Sequence, residues 1–250
     1  MNTVLQAENL HTYYGKSHIL HGMTLEVREG EIVTLLGRNG AGKTTTLRSL
    51  TGLTPARSGS VRVFGQDVTH WSPYRIARLG LGYVPEGRKI FGALTVEENL
   101  LVPQAAPGAW SLERVYKLFP RLAERRKQLG RQLSGGEQEM LAIARPLLLN
   151  PKLMLLDEPS QGLAPLIVQE VMKVVRSMRE EGLSVLLVEQ NVPLSLGVAD
   201  RAYIVSDGLV VHEGSAAELA HDTELVERLA GATAGHGDGP AAAAASAKTA

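Results

Sequence analysis

The run Gly37-Arg38-Asn39-Gly40-Ala41-Gly42-Lys43-Thr44-Thr45 constrains this chain more than any other stretch. It fits G-x-x-x-x-G-K-[ST] without a mismatch, and its flanks are those the pattern requires. Residues 32–36 before it form an apolar β run, and residues 44–50 after it read as a helix closed by Gly52. Glycines at these places let the backbone wrap tightly, so that successive N–H groups face inward at a helix N-terminus and bind phosphate oxygens. Lys43 is expected to reach the β- and γ-phosphates, and the Thr44 hydroxyl to ligate Mg²⁺. The reading is a nucleotide site spanning residues 37–45, with Mg²⁺ beside the phosphates.

Such a loop needs a carboxylate on a neighbouring strand. Leu153-Met-Leu-Leu followed by Asp157-Glu158 supplies one, with Asp157 in the Mg²⁺ role and Glu158 polarising the attacking water. Residues 152–156 and 184–188 are short and almost wholly apolar, with helical patterns between them, as strands buried on both faces of a parallel sheet read. Thr24-Leu-Glu-Val-Arg and Ser60-Val-Arg-Val-Phe alternate at period two. Together with residues 31–36 they read as pieces of a sheet that is in part antiparallel. Residues 202–206, Asp207-Gly208 and 209–212 spell a hairpin. Residues 87–150 carry few strand patterns but two helix-start signatures, Thr95-Val-Glu-Glu98 and Ser134-Gly-Gly-Glu137, and read as an inserted, mostly helical subdomain. Residues 1–230 form one unit, and the Gly/Ala-rich stretch 231–250 is expected to be a disordered tail.

Composition narrows the classes. Lys plus Arg and Asp plus Glu are 26 each, so no global basic field exists to hold nucleic acid. Without a cysteine there is no disulfide framework, thiolate metal site or cysteine nucleophile. No basic-then-apolar N-terminus and no eighteen-residue uncharged apolar run occur, which makes a cytoplasmic chain the expectation. His18-Ile-Leu-His21 has metal-like spacing, but the sequence marks no third ligand nearby.

Leu133-Ser134-Gly135-Gly136-Glu137-Gln138 offers a second capped helix end suited to anions. One nucleotide does not need two cradles from one chain; the second makes sense if it faces the nucleotide of another subunit. Lying 23 residues before Asp157 in a chain with a phosphate loop, this stretch resembles the signature motif of ABC ATPases. The resemblance covers about residues 1–230. It implies an α/β fold with a P-loop NTPase core of mainly parallel strands, an N-terminal antiparallel β subdomain and an inserted helical subdomain. It makes Tyr14 the aromatic that stacks on adenine, and it puts Gly82-Tyr-Val-Pro-Glu86 at the Q-loop, with Glu86 replacing the usual Gln beside nucleotide and metal. It puts Gln190 where a switch histidine normally stands, and Ala164 where a D-loop Asp is typical. Pro146 interrupts the helix after the signature, where it should kink or end it.

Val84-Pro-Glu-Gly-Arg-Lys-Ile-Phe, Thr95-Val-Glu-Glu-Asn-Leu, Ser160-Gln-Gly-Leu-Ala-Pro and Val188-Glu-Gln-Asn together resemble one branch, the second ATPase (LivF type) of importers for branched-chain amino acids. In that branch the departures are usual. The resemblance implies a homodimer, or a heterodimer with a second ABC ATPase, with transmembrane permease subunits and, indirectly, an external binding protein. It implies a chain that is peripheral on the inner face of the cell membrane. The similar ATPase of urea or short-amide importers is the alternative, as is a soluble single-cassette ABC ATPase of cofactor assembly.

Overall fold

A computed structural model describes residues 2–103 and 108–230. Strands β1 (Thr3–Tyr14) and β2 (Ser17–Arg28) form a long hairpin, followed by β3 (Ile32–Leu36), helix α1 (Lys43–Leu50), β4 (Ser58–Val63), β5 (Gln66–Asp67), α2 (Pro73–Ala77) and β6 (Leu81–Val84). Four helices come next: α3 (Val96–Leu101), α4 (Leu112–Leu118), α5 (Pro120–Glu124) and α6 (Gly135–Leu147). Then follow β7 (Leu153–Asp157), α7 (Pro165–Glu180), β8 (Ser184–Val188), α8 (Val192–Leu196), β9 (Arg201–Ser206) and β10 (Leu209–Ser215), and last α9 (Ala216–His221) and α10 (Thr223–Ala230). The expected tail at 231–250 lies outside the described residues.

The strands make two sheets. One is antiparallel in the order β2-β1-β4-β5; the other runs β10-β9-β3-β8-β7-β6 and is parallel apart from β10. This corrects the sequence reading of β3, which belongs to the parallel sheet between β9 and β8 rather than with the alternating strands. All five of its residues are buried, as in β7 and β8, because both of its faces are covered. β1 went unmarked in the sequence because its alternation is broken: Asn9 has φ +49, and the register slips between Ala7 and Leu10.

The apolar strands divide their side chains by parity, as the pleat dictates. Ile32, Met154, Leu156, Val185 and Leu187 pack into one core with α6 and α7. Val33, Leu35, Leu153, Leu155, Leu186 and Val188 enter the other, with Leu47 and Leu50 of α1 and the inner face of the antiparallel sheet. A sheet covered on both faces has room for polar chemistry only at its strand ends.

Among the described residues of 87–150 there are helices, a 3₁₀ turn at Gly130–Gln132 and a lone bridge between Thr95 and Leu129. Both capping boxes form, Thr95 with Glu98 at α3 and Ser134 with Glu137 at α6. Pro146 puts no kink in mid-helix: α6 runs one residue past it and closes with short-range bonds, Leu148 N to Arg145 O and Leu149 N to Pro146 O. Proline lacks the N–H that would bond four residues back, so the helix ends beside it.

Candidate active site

Parallel strands all end on the same side, and β3, β8, β7 and β6 are neighbours in that order. The loop of residues 37–42 leaves β3, Glu189-Gln190 follow β8, Asp157-Glu158 close β7, and Pro85-Glu86 follow β6. Residues more than a hundred positions apart therefore meet along one edge, where open α/β sheets bind ligands. They surround a cleft of about 440 Å³ lined by Asn39, Gly40, residues 42–45, Glu86, Glu158, Gln161, Gln190 and Ile19.

The phosphate loop is backed closely by β9. A Cβ on Gly37 would lie 2.3 Å from the Val205 carbonyl oxygen, so only glycine fits there. Lys43, 4% exposed, donates from Nζ to the carbonyls of Gly37 at 2.8 Å and Arg38 at 3.1 Å, and stands 3.7 Å from Glu158 Oε1. Burial lowers its pKa, with Glu158 and Asp157 opposing. The cation is thus stored against its own loop, on contacts a phosphate could replace.

Thr44 Oγ1 donates to Asp157 Oδ1 at 3.1 Å, and the Tyr83 hydroxyl to Oδ2 at 3.3 Å. Burial pushes the Asp157 carboxyl up to about 6; the charges of Glu158 and Glu86 act in the same direction, and the two hydrogen bonds act against it. A buried carboxylate among other acids calls for a cation. The paired hard oxygens of Thr44 and Asp157 suit Mg²⁺, with the carboxylate of Glu86 close by.

Glu158 has φ +50, a backbone turn that lets the residue after the strand face back into the cleft. Its Oε2 accepts from Gln190 Nε2 at 2.5 Å and from Gln161 Nε2 at 3.2 Å. Beside Gln190, the Glu189 carboxylate is 2% exposed and accepts from Ser160 N at 2.9 Å and Ser160 Oγ at 2.7 Å. Burial raises its pKa.

The loop residues, Asp157, Glu158, Glu86 and Gln190 are thus brought together. The Arg38 side chain is exposed, and only its carbonyl turns to Lys43. Tyr14 stands exposed at the end of β1, outside the cleft lining. Residues 134–138 also lie outside it, at the N-terminus of α6, where Gly135 abuts Arg88 and Gly136 abuts Ile167. Gln161, Tyr83 and Glu189 join the site; each lies inside a segment singled out in the sequence, but without a role of its own. Gln161 is placed by the turn after Glu158, and Tyr83 by the register of β6 on β7, neither of which a motif encodes. His18 and His21 gain His11, whose Nδ1 is 3.1 Å from His18 Nε2. Among the described residues, however, no group of three or more His, Cys, Asp or Glu is arranged to hold a metal.

The chain is similar to known proteins over most of its length. The ABC transporter family profile matches residues 20–161. The chain is 46% identical over 227 residues to the high-affinity branched-chain amino acid transport ATP-binding protein BraG of Pseudomonas aeruginosa, covering 87% of this chain and 96% of that one. It is 37% identical over 231 residues to the lipopolysaccharide export system ATP-binding protein LptB of Escherichia coli K12, covering 90% and 95%. Its fold is similar, with a TM-score of 0.75 and 25% identity, to a dimeric ATP-binding cassette in a post-hydrolysis state bound to ADP and Pi, covering 85% of this chain and 98% of that one.

Proposed function

We propose, for a chain that belongs to the ABC transporter family of ATPases, that it is the ATP-hydrolysing subunit of an importer for branched-chain amino acids. Nucleotide binding and ATP hydrolysis come with the family, whose cassettes work as dimers with transmembrane permease partners. The observation that supports the assignment of roles is the shared edge of four parallel strands, which gathers Lys43, Thr44, Asp157, Glu158 and Gln190 around one cleft.

In this reading the backbone amides of the loop face the phosphates, and Lys43 exchanges the carbonyls of Gly37 and Arg38 for β- and γ-phosphate oxygens. Thr44 and Asp157, with Glu86 nearby, would hold Mg²⁺, which when bound neutralises charge on the phosphates. Glu158 takes the proton of the attacking water as its oxygen adds to the γ-phosphorus and ADP leaves. Gln190 turns its amide from Glu158 to a γ-phosphate oxygen, doing a histidine's work without titrating near neutrality.

Residues 134–138 stand apart from this cleft and serve the nucleotide of a second cassette, either another copy or a similar ATPase, while Tyr14 stacks on adenine. Closure of that dimer on ATP and its reopening on hydrolysis would drive the permeases. The amino acid assignment is supported by the higher identity to BraG than to LptB and by the segments of the LivF-type branch. No helix among the described residues is long and apolar enough to cross a membrane. The permeases would therefore hold the chain at the inner face of the membrane, with a binding protein acting indirectly from outside.

Affinity purification of the tagged chain from detergent-solubilised native membranes tests this. Two polytopic permeases and a second ATPase are expected, together with loss of radiolabelled leucine uptake on deletion. Soluble partners alone would point to an assembly ATPase, and uptake of urea instead would overturn the substrate.

A further inference from the structure

We propose that Gln161 is a positioning residue for Glu158, the donor that keeps the carboxylate aimed once Gln190 has turned to the nucleotide; this rests on the assignment of Glu158 as the base. Two side-chain amides share Glu158 Oε2, Gln190 at 2.5 Å and Gln161 at 3.2 Å, while Oε1 is left facing Lys43 at 3.7 Å. The Glu158 carboxylate is buried beside the acid Asp157, so it depends on donors to stay in one place. When Gln190 gives its amide to a γ-phosphate oxygen, its short contact to Oε2 goes. Gln161 is the side-chain amide that remains.

The backbone around Gln161 is fixed well enough for that task. Its own N–H donates to the Glu158 carbonyl at 3.1 Å. Ser160 before it is gripped by the buried carboxylate of Glu189 through both N–H and hydroxyl. Arg88 Nη2 donates to the Gln161 carbonyl at 3.4 Å and the Gly162 carbonyl at 3.3 Å, and Gly162, at φ +66, makes the turn that leaves the amide pointing into the cleft. Gln161 itself is exposed at the cleft mouth, so the fold does not depend on its side chain. A general base works only when its free oxygen is held against the water, and a small misplacement costs rate without costing nucleotide affinity.

Gln161→Met removes the amide N–H donors and keeps the length of the side chain. In the full-length chain within its purified complex it should lower kcat by about tenfold, the worth of one hydrogen bond, and move KM for ATP by less than about twofold. Affinity for a fluorescent ATP analogue and the melting temperature should not change. In a Glu158→Gln background the same substitution should alter the residual rate by less than about twofold, because a residue that acts through Glu158 has nothing left to position. Losses that multiply in the double variant, or a single variant with wild-type kcat beside an inactive Glu158→Gln, would overturn the proposal and leave the base assignment standing. A Glu158→Gln variant as fast as wild type would overturn both.

Discussion

Glu158 shows how one residue's chemistry follows from its position. A left-handed φ of +50 is uncommon for a side chain with a Cβ, and it turns the carboxylate back over the strand end toward Lys43. Residue type and spacing picked out the phosphate loop, Asp157 and Glu158 in the sequence as a group, and the fold gathers them at one strand edge. Gln161 and Glu189 were not legible, since their roles depend on a local turn and on a contact between two loops. Gln190 carries its own prediction. The ATPase pH profile should lack a histidine-like step near about pH 6.5 from this position, and Gln190→His should introduce one. A step in the wild type that disappears in Gln190→Ala would contradict this. Glu139, on α6, is a buried acid with Arg88 at 3.9 Å; burial lifts its carboxyl to about 7 from 4.5. The folded state therefore binds the proton more tightly than the unfolded chain, and this residue's contribution to stability falls as pH rises from about 4.5 to about 7. Glu139→Gln should melt about 5 °C above the wild type at pH 8, and the two should converge by pH 4.5. Parallel melting curves at both pH values would show that the acid is not strained.

At the scale of single elements, the sequence was informative wherever a local rule fixes the geometry. The capping boxes of α3 and α6 formed where hydroxyl and glutamate stood three apart. The Asp207-Gly208 turn formed with φ +48 and +74, the left-handed pair a two-residue hairpin needs. β1 was illegible because bulges broke its alternation, and β3 was assigned to the wrong sheet because an apolar run does not name its neighbours. The cap of α6 separates structure from function. Ser134 Oγ accepts from Glu137 N at 3.3 Å, and Ser134→Ala should cost about 1 kcal/mol of stability in chemical unfolding. It should leave nucleotide affinity of the isolated chain unchanged while reducing hydrolysis in the assembled complex. Weaker nucleotide binding by the isolated chain would place Ser134 in that chain's own cleft.

The whole molecule depends on how its two sheets are joined, and Arg201 is a main tie. It is 9% exposed and forks onto Glu31 at 2.8 and 3.0 Å, donates to Glu213 at 2.6 Å, and reaches the Glu26 carbonyl of β2 at 2.9 Å. Burial opposes its charge, but Glu31, Tyr203 and Glu213 outweigh that and raise its pKa. Arg201→Met would leave buried acceptors without a donor and should cost about 3–5 kcal/mol in urea unfolding. A loss below about 1 kcal/mol would mean that water replaces the guanidinium freely. This linkage was invisible in the sequence, because its partners lie up to 175 residues from Arg201 and no pattern joins them.

The measurement that bears most directly on the sheet-edge cleft as the site of ATP hydrolysis is turnover by the purified complex, wild type against Glu158→Gln, with nucleotide affinity followed in parallel. Turnover should fall by about 10²–10⁴ while affinity for ATP is kept. A Glu158→Gln complex that hydrolyses ATP at the wild-type rate would show that another group activates the water.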